Sequence, residues 1–421
     1  MESLITNKDK RYLRELAKKY VEYSELPVME ERTSLWHAHN RMMSNKPVVI
    51  MENLTFNGDF LPELKCSTES GQFIESILLE QILNFELIND DKVIPHYLPI
   101  ELQIDFQAFS HGFKHKYSKD SEGREIGYES SHLISDLKED LPELQYSKYS
   151  VDWIRTNKIK EYIENIIGSI LPVVIKNTSL TWHITPTAQI VELMGMEAML
   201  LAMLDTPDEM KNLFSFIMED IIRYLRWQEK EGLLTLNNSN DYVASGSYGF
   251  TSEIPRRQVD CNDIKTKDLW GHMNSQESVG ISPDMFGEFI FPSYLELANE
   301  FGLLYYGCCE PVHHVWEDYL CKLPNLRKLS ISPWCDEQIM GEYLKREPVI
   351  YSRKPSPNYI GVGKYLDEES FSEHIIGTLD AAEGNTLEII FRDIYNLEGN
   401  RRKPGRAVEI VRELIDSRWK P

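Results

Sequence analysis

The sequence predicts an α/β fold, a (β/α)8 TIM barrel with an N-terminal helical extension and an insertion after the second strand, and three observations carry that expectation. Eight short apolar, β-branched runs recur along the 421 residues. Amphipathic segments of helical period separate them. Two of those segments open on the helix-start device Thr206-Pro207-Asp208 or Ser282-Pro283-Asp284, a cap residue followed by proline and an acid. The rival architecture is an open doubly wound sheet, but the chain has no Gly-rich first turn of the dinucleotide-binding kind.

The elements follow in order. Leu13, Leu16, Ala17, Tyr20 and Val21 recur at helical spacing among charged residues, which predicts a helical extension over 1–45 and a barrel over 46–421. The strand-like runs begin with Val48–Met51, Ile100–Ile104, Val173–Ile175 and Leu233–Leu236. They continue with Leu303–Tyr306, Leu329–Ile331, Val349–Tyr351 and Leu387–Phe391. Helices are expected over 71–88, 186–204, 207–230, 284–301, 337–346, 367–382 and 406–418. The polar stretch 107–153 is too long for an ordinary βα loop and is expected at the carboxyl mouth, either as a specificity element or as a solvated insertion.

Charge and composition narrow the class. Asp and Glu number 67 against 45 Lys and Arg, a formal net charge of -22. Such a surface repels phosphate backbones, so nucleic acid is not an expected partner. No apolar run approaches the roughly 20 residues of a membrane-spanning helix, and the first residues lack a secretory layout. Six cysteines, two of them adjacent, are too few for a disulfide scaffold and fit reduced thiols. A cytoplasmic enzyme is the expectation.

The densest chemistry lies in Tyr306-Gly307-Cys308-Cys309-Glu310-Pro311-Val312-His313-His314, just past the fifth run. Thiolates, a carboxylate and imidazoles are ligands that zinc prefers, and a catalytic zinc keeps about three protein ligands and one open position. Candidate metal ligands are Cys308, Cys309, His313 and, beyond the sixth run, Cys335. Neighbours at a strand end point oppositely, so Cys308 and Cys309 are not expected both to be ligands. The plainer reading makes these residues core and cap groups. Glu310, Gln276 and Asp393 are the candidate catalytic groups. Glu52, His183, Trp270, His272, Arg392 and Trp334 are the candidate substrate-binding groups, because each lies at or near a strand end or in a stretch rich in hydrogen-bonding side chains. For His183 a turn role competes, and for Arg392 with Asp393 a plain ion pair. No GxSxG elbow, P-loop or HExxH occurs.

Several of these stretches together resemble the uroporphyrinogen decarboxylase-like superfamily. They are Trp270-Gly271 with Ser275-Gln276-Glu277, Ser282-Pro283-Asp284-Met285-Phe286 with Glu288-Phe289, and Phe301-Gly302-Leu303 with Tyr306-Gly307-Cys308-Cys309-Glu310-Pro311. Leu329–Trp334 and the 186–212 stretch fit as well. The likeness runs from about 30 to 418, with its specific motifs in 265–336. It implies the barrel, with its site at the strand carboxyl ends.

Two chemistries come with that resemblance. True decarboxylases carry an arginine-bearing N-terminal segment for a polyanionic tetrapyrrole; here the region reads Trp36-His37-Ala38-His39-Asn40-Arg41-Met42-Met43, without the paired arginines. Corrinoid (cobalamin)-dependent methyltransferases bind zinc through a His-x-Cys pair and a later Cys. Here that position reads Tyr306-Gly307-Cys308 or Gly307-Cys308-Cys309, and no Cys follows the eighth run, so the resemblance carries over one ligand, Cys308 or Cys309. It implies a zinc-dependent methyltransferase component acting on a small methylated donor, with the corrinoid on a partner protein. A decarboxylase and a non-catalytic ligand-binding barrel are the alternatives.

Overall fold

A computed structural model describes residues 5–110, 112, 115–119 and 125–420. Residues 111, 113–114 and 120–124 of the expected insertion lie outside the described residues, as do 1–4 of the expected extension. The fold is mixed α/β with a mostly parallel central sheet. Its eight parallel strands are β1 (Val48–Met51), β2 (Leu98–Glu101), β3 (Val173–Lys176), β4 (Trp270–Met273), β5 (Leu303–Tyr306), β6 (Leu326–Ile331), β7 (Ile350–Arg353) and β8 (Leu387–Phe391). Six form one sheet in the order β1-β8-β7-β6-β5-β4, and β2 pairs with β3 separately.

Two expectations about strands need correction. Leu233–Leu236 makes no ladder, and Trp270–Met273, read as a hydrogen-bonding stretch, is the strand. The 233–237 segment still lies between β3 and β4, but side chains do the pairing. Thr235 Oγ1 accepts from the Asn177 amide at 3.0 Å, and the Asn237 side chain brackets the Trp270 amide and carbonyl at 2.9 and 3.0 Å. The other free edge, β1, is treated the same way. Asp91 and Asp90 carboxylates accept from the Val49 and Met51 amides, each at 2.8 Å. Side-chain acceptors thus satisfy backbone donors that an unpaired edge would leave bare.

Alternation along the strands sorts two faces. Val49, Met51, Tyr306, Leu329, Ile331, Tyr351, Ile389 and Phe391 pack outward against helices in the main core. The opposite face is unusually polar: Tyr305, Lys328, Ser330, Ser352 and Glu388 are all fully buried on it. Of the expected helices, 207–230 has the expected limits, Pro207–Lys230, whereas 186–204 is broken into Pro186–Met194 and Met196–Asp205 at Gly195, whose φ is +83°. At the amino end lie α1 (Asn7–Ser24), whose start is capped by Thr6, and α2 (Pro27–Asn40). Leu13, Ala17 and Tyr20 of α1 pack with Ile74, Leu78, Ile163 and Ile167 in a satellite core, while Trp36 of α2 packs on Val48, Ile50 and Ile390. Within the expected insertion, Lys148–Val151 pairs antiparallel with Ile104–Gln107, and His115–Lys119 with Glu125–Ser130. No single helix among the described residues is long and apolar enough to cross a membrane.

Candidate active site at the carboxyl end of the sheet

Four strand ends deliver the site. Glu52 follows β1, Cys308 and Cys309 follow β5, Lys354 follows β7, and Arg392 with Asp393 follows β8. The chain can turn after Tyr306 because Gly307 adopts φ +95°, a conformation costly for other residues. Glu310 then fixes the turn, its carboxylate accepting from the Cys308 amide at 2.9 Å and the Ser275 amide at 2.8 Å. Burial pushes the Glu310 carboxyl up, against those two amides. Its contacts make it a brace between the loops after β4 and β5.

Arg392 is the hub. Its guanidinium lies 3.7 Å from Cys308 Sγ, 3.6 Å from Glu52 and 3.2 Å from Asp393, with the Trp182 ring centroid 6.0 Å away. Burial works against its charge, but Glu52, Cys308 and Asp393 hold it firmly cationic. Glu52 also accepts from the Tyr242 hydroxyl at 2.8 Å. The two thiols lie 3.6 Å apart, and Cys309 Sγ lies 4.0 Å from Asp393. The Cys309 thiol hydrogen-bonded to it pulls Cys308 down from the usual thiol range, and Arg392 adds to this against burial; Cys309 is pushed far up by the same bond. Of the two, Cys308 is therefore the thiol that ionises first. Cys309, Gln276, Glu310 and the exposed Trp334 line an open, largely apolar cleft of about 560 Å³ with Met196, Val279 and Pro311.

Beneath this mouth runs a buried polar chain that the sequence reading missed. Glu388 accepts from His39 (3.1 Å), Ser247 (3.0 Å), Lys328 (3.2 Å) and Ser352 (2.5 Å). Burial would raise its carboxyl, but Lys328 and His39 hold it far below the usual range. Lys354 donates to Ser352 Oγ at 2.6 Å and to the Tyr305 hydroxyl at 2.5 Å, and burial lowers it to about 7. The legible signal was a charge inside an apolar run: Glu388 between Leu387 and Ile389, Lys328 beside Leu329.

The remaining named residues lie as follows. His272 is buried on β4 and lowered to about 4 by burial, so it is neutral; Nδ1 meets the Thr181 carbonyl at 2.8 Å. Trp270 donates from Nε1 to the Gly249 carbonyl at 2.9 Å. His183 stands apart, its ring 4.5 Å from both Phe106 and Tyr224, and burial lowers it to about 4. Cys335 accepts from the Val312 amide at 3.4 Å within the main core, and His313 Nδ1 accepts from the Asp336 amide at 3.3 Å. Neither converges on the thiol pair.

The donors present do not fit zinc. Among the described residues no three His, Cys, Asp or Glu side chains are grouped to hold a metal ion. The inner side of Cys308 and Asp393 is occupied by the Arg392 guanidinium, a fixed cation where a second would be repelled.

No protein family matches the chain, and no curated relative does. A solved structure of a methyltransferase from Methanosarcina mazei is similar at 11% identity and a TM-score of 0.46, over 91% of this chain and 97% of that one. At that identity and score no residue role passes between the two chains.

Proposed function

We propose that the protein is a methyltransferase-type enzyme of a corrinoid-dependent system, a (β/α)8 barrel whose two seams are closed by side chains, moving a methyl group between a small methylated donor and a corrinoid protein. The observation that carries this reading is the Cys308–Arg392 pair, a thiol of lowered pKa against a buried guanidinium, next to Cys309, which lines an open apolar cleft. In-line transfer breaks the bond from methyl to its leaving atom as the bond to the nucleophile forms, and the leaving atom keeps the electron pair. A preorganised cation stabilises that atom as charge develops, in a site already desolvated. Arg392 is placed to do so, with Glu52 and Tyr242 fixing its direction. Cys308 is the more acidic thiol of the pair, and the cleft beside Cys309 is open to a second protein's prosthetic group.

A polycarboxylate decarboxylase is less well served. Arg392 is already matched by Glu52 and Asp393, and burial lowers Lys354 to about 7, which leaves no surplus cation for several carboxylates. The test is a spectroscopic assay of methyl-cobalt formation on a cobalt(I) corrinoid protein across methylated donors. The expected result is methylation that falls at least about 100-fold in Arg392→Met. Absence of methyl-cobalt with every donor, alongside release of carbon dioxide from a porphyrinogen, would overturn it.

A further inference from the structure

The bend after β5 reverses the expectation that Cys308 and Cys309 point apart. Adjacent side chains alternate only while the chain is extended. Here Gly307 at φ +95° and the Glu310 carboxylate on the Cys308 amide turn the backbone, and the two sulfurs converge to 3.6 Å. The other four thiols meet oxygen or nitrogen partners instead. Cys66 and Cys261 meet the carboxylates of Glu75 and Asp260, Cys321 the Glu317 carbonyl, and Cys335 the Val312 amide. Cys308 and Cys309 thus form a built dithiol, and half-buried Cys309 carries it to the wall of the open cleft of about 560 Å³.

The separation selects what can bridge the sulfurs. A disulfide needs about 2.05 Å. Two bonds of about 2.3 Å, the length of a zinc–thiolate bond, hold the sulfurs roughly 3.3–3.8 Å apart when they meet between a right angle and the tetrahedral angle. Collinear bonds of that length require about 4.6 Å. The pair therefore suits a pyramidal or tetrahedral centre with little movement of either sulfur. Donor number and charge decide between these. A tetrahedral cation lacks ligands, because no three His, Cys, Asp or Glu side chains among the described residues are grouped to hold one. The Arg392 guanidinium, 3.7 Å from Cys308 Sγ, also repels it. A neutral trivalent centre that brings its own third substituent meets neither objection. The cleft beside Cys309 is largely apolar, walled by Met196, Val279, Pro311 and Trp334, and favours an organic substituent.

We infer that Cys308 and Cys309 form a dithiol site that captures a trivalent organoarsenical, with its apolar substituent in the cleft beside Cys309. Counted from two thiols and the hydrated arsenical R–As(OH)2, capture makes two As–S bonds and breaks two As–O bonds. Each hydroxide leaves with one thiol proton as water, and arsenic stays trivalent, so no oxidant or reductant enters. The product is neutral and leaves Arg392 paired with Glu52 and Asp393. Because the second bond forms within one molecule, two-point capture exceeds single-point attachment by about 100-fold or more. The inference stands apart from the methyl-transfer reading, since capture is measured with no methyl donor present.

The test is mass spectrometry of the full chain, freed of reductant and incubated with one equivalent of phenylarsine oxide. The expected result is one phenylarsenic per chain at the loss of two thiol hydrogens. Iodoacetamide added after unfolding is expected to find Cys308 and Cys309 blocked and the other four cysteines free. Ethanedithiol is expected to release the adduct where 2-mercaptoethanol at the same thiol concentration does not. Cys308→Ser and Cys309→Ser are each expected to weaken capture at least about 100-fold. The labelling pattern of the unaltered chain decides the matter even where a serine variant fails to fold. Capture by the chain unfolded in urea is expected to be weaker, because its sulfurs are no longer held together. Val279→Trp, at an exposed cleft wall, is expected to weaken phenylarsine oxide more than inorganic arsenite. No adduct on the unaltered chain, full affinity in either serine variant or in urea, release by the monothiol, or blocking of another cysteine would each overturn the inference. An equal effect of Val279→Trp on both probes would overturn the place given to the substituent.

Discussion

Cys308 owes its lowered pKa to two neighbours of different kind. Cys309 offers a hydrogen bond and Arg392 a full charge, each to the same sulfur. Removing either should move the Cys308 pKa upward, and Arg392→Lys should only partly preserve it, because an ammonium cannot reach Glu52, Asp393 and the thiolate from one plane. Neutral buried imidazoles make a separate residue-scale prediction. His272 and His183 bind no proton in the fold until about pH 4, whereas an unfolded histidine binds one near 6.5. Between those values the unfolded state holds more protons, so stability falls as the pH is lowered through that window, by up to about 3 kcal/mol per group. Urea unfolding at pH 7, 6 and 5 checks this; a flat stability across that series would contradict it. Arg392 and the thiols were legible as strand-end chemistry. Tyr242 was not, because nothing in its flanking sequence says that a hairpin will carry it to Glu52.

The Tyr242–Ala244 and Ser247–Tyr248 hairpin is the element on which the interior depends. Its turn residue Gly246 has φ +85°, and a Cβ there would lie 2.3 Å from Ile390 Cγ2. Gly246→Ala should therefore cost about 2–4 kcal/mol from strain and overpacking together, measured as a shift in the urea midpoint. A loss below about 1 kcal/mol would show that the hairpin is not seated as described. The β1 edge gives a second case. Asp91→Ala strips the acceptor from the buried Val49 amide and the partner from Arg412, 2.7 Å away, for an expected loss of about 2–3 kcal/mol. These seams also explain what strand reading could and could not find. Leu233–Leu236 has strand composition, yet Thr235 and Asn237 pair through side chains. Trp270–Met273 is a strand despite Gly271 and His272, because burial on both faces, which no single sequence displays, outweighs weak β propensity.

Across the whole molecule, one apolar face of the strands holds the helices and the opposite face buries a polar network. The apolar face was legible from periodicity alone. The polar face was not, because the partners of Glu388 come from α2, the hairpin, β6 and β7, far apart in the chain. Glu388→Ala leaves Lys328 and His39 buried without their common acceptor, and should cost about 3–5 kcal/mol, enough to threaten folding. A soluble, fully stable Glu388→Ala protein by thermal denaturation would refute that account of the interior. The excess of acid in the chain, with Arg392 and Lys328 both internally matched, fits a neutral or cationic ligand better than a polyanion.

The central claim is that Cys309 and Arg392 together make Cys308 the more acidic thiol, and the pH dependence of its alkylation tests this most directly. Mass spectrometry after timed iodoacetamide treatment resolves Cys308 from the other five cysteines. The expected profile has its midpoint below the roughly 8.5 of a free cysteine and moves upward in Arg392→Met and in Cys309→Ala. A midpoint at or above that of free cysteine, unmoved by either substitution, would contradict the account.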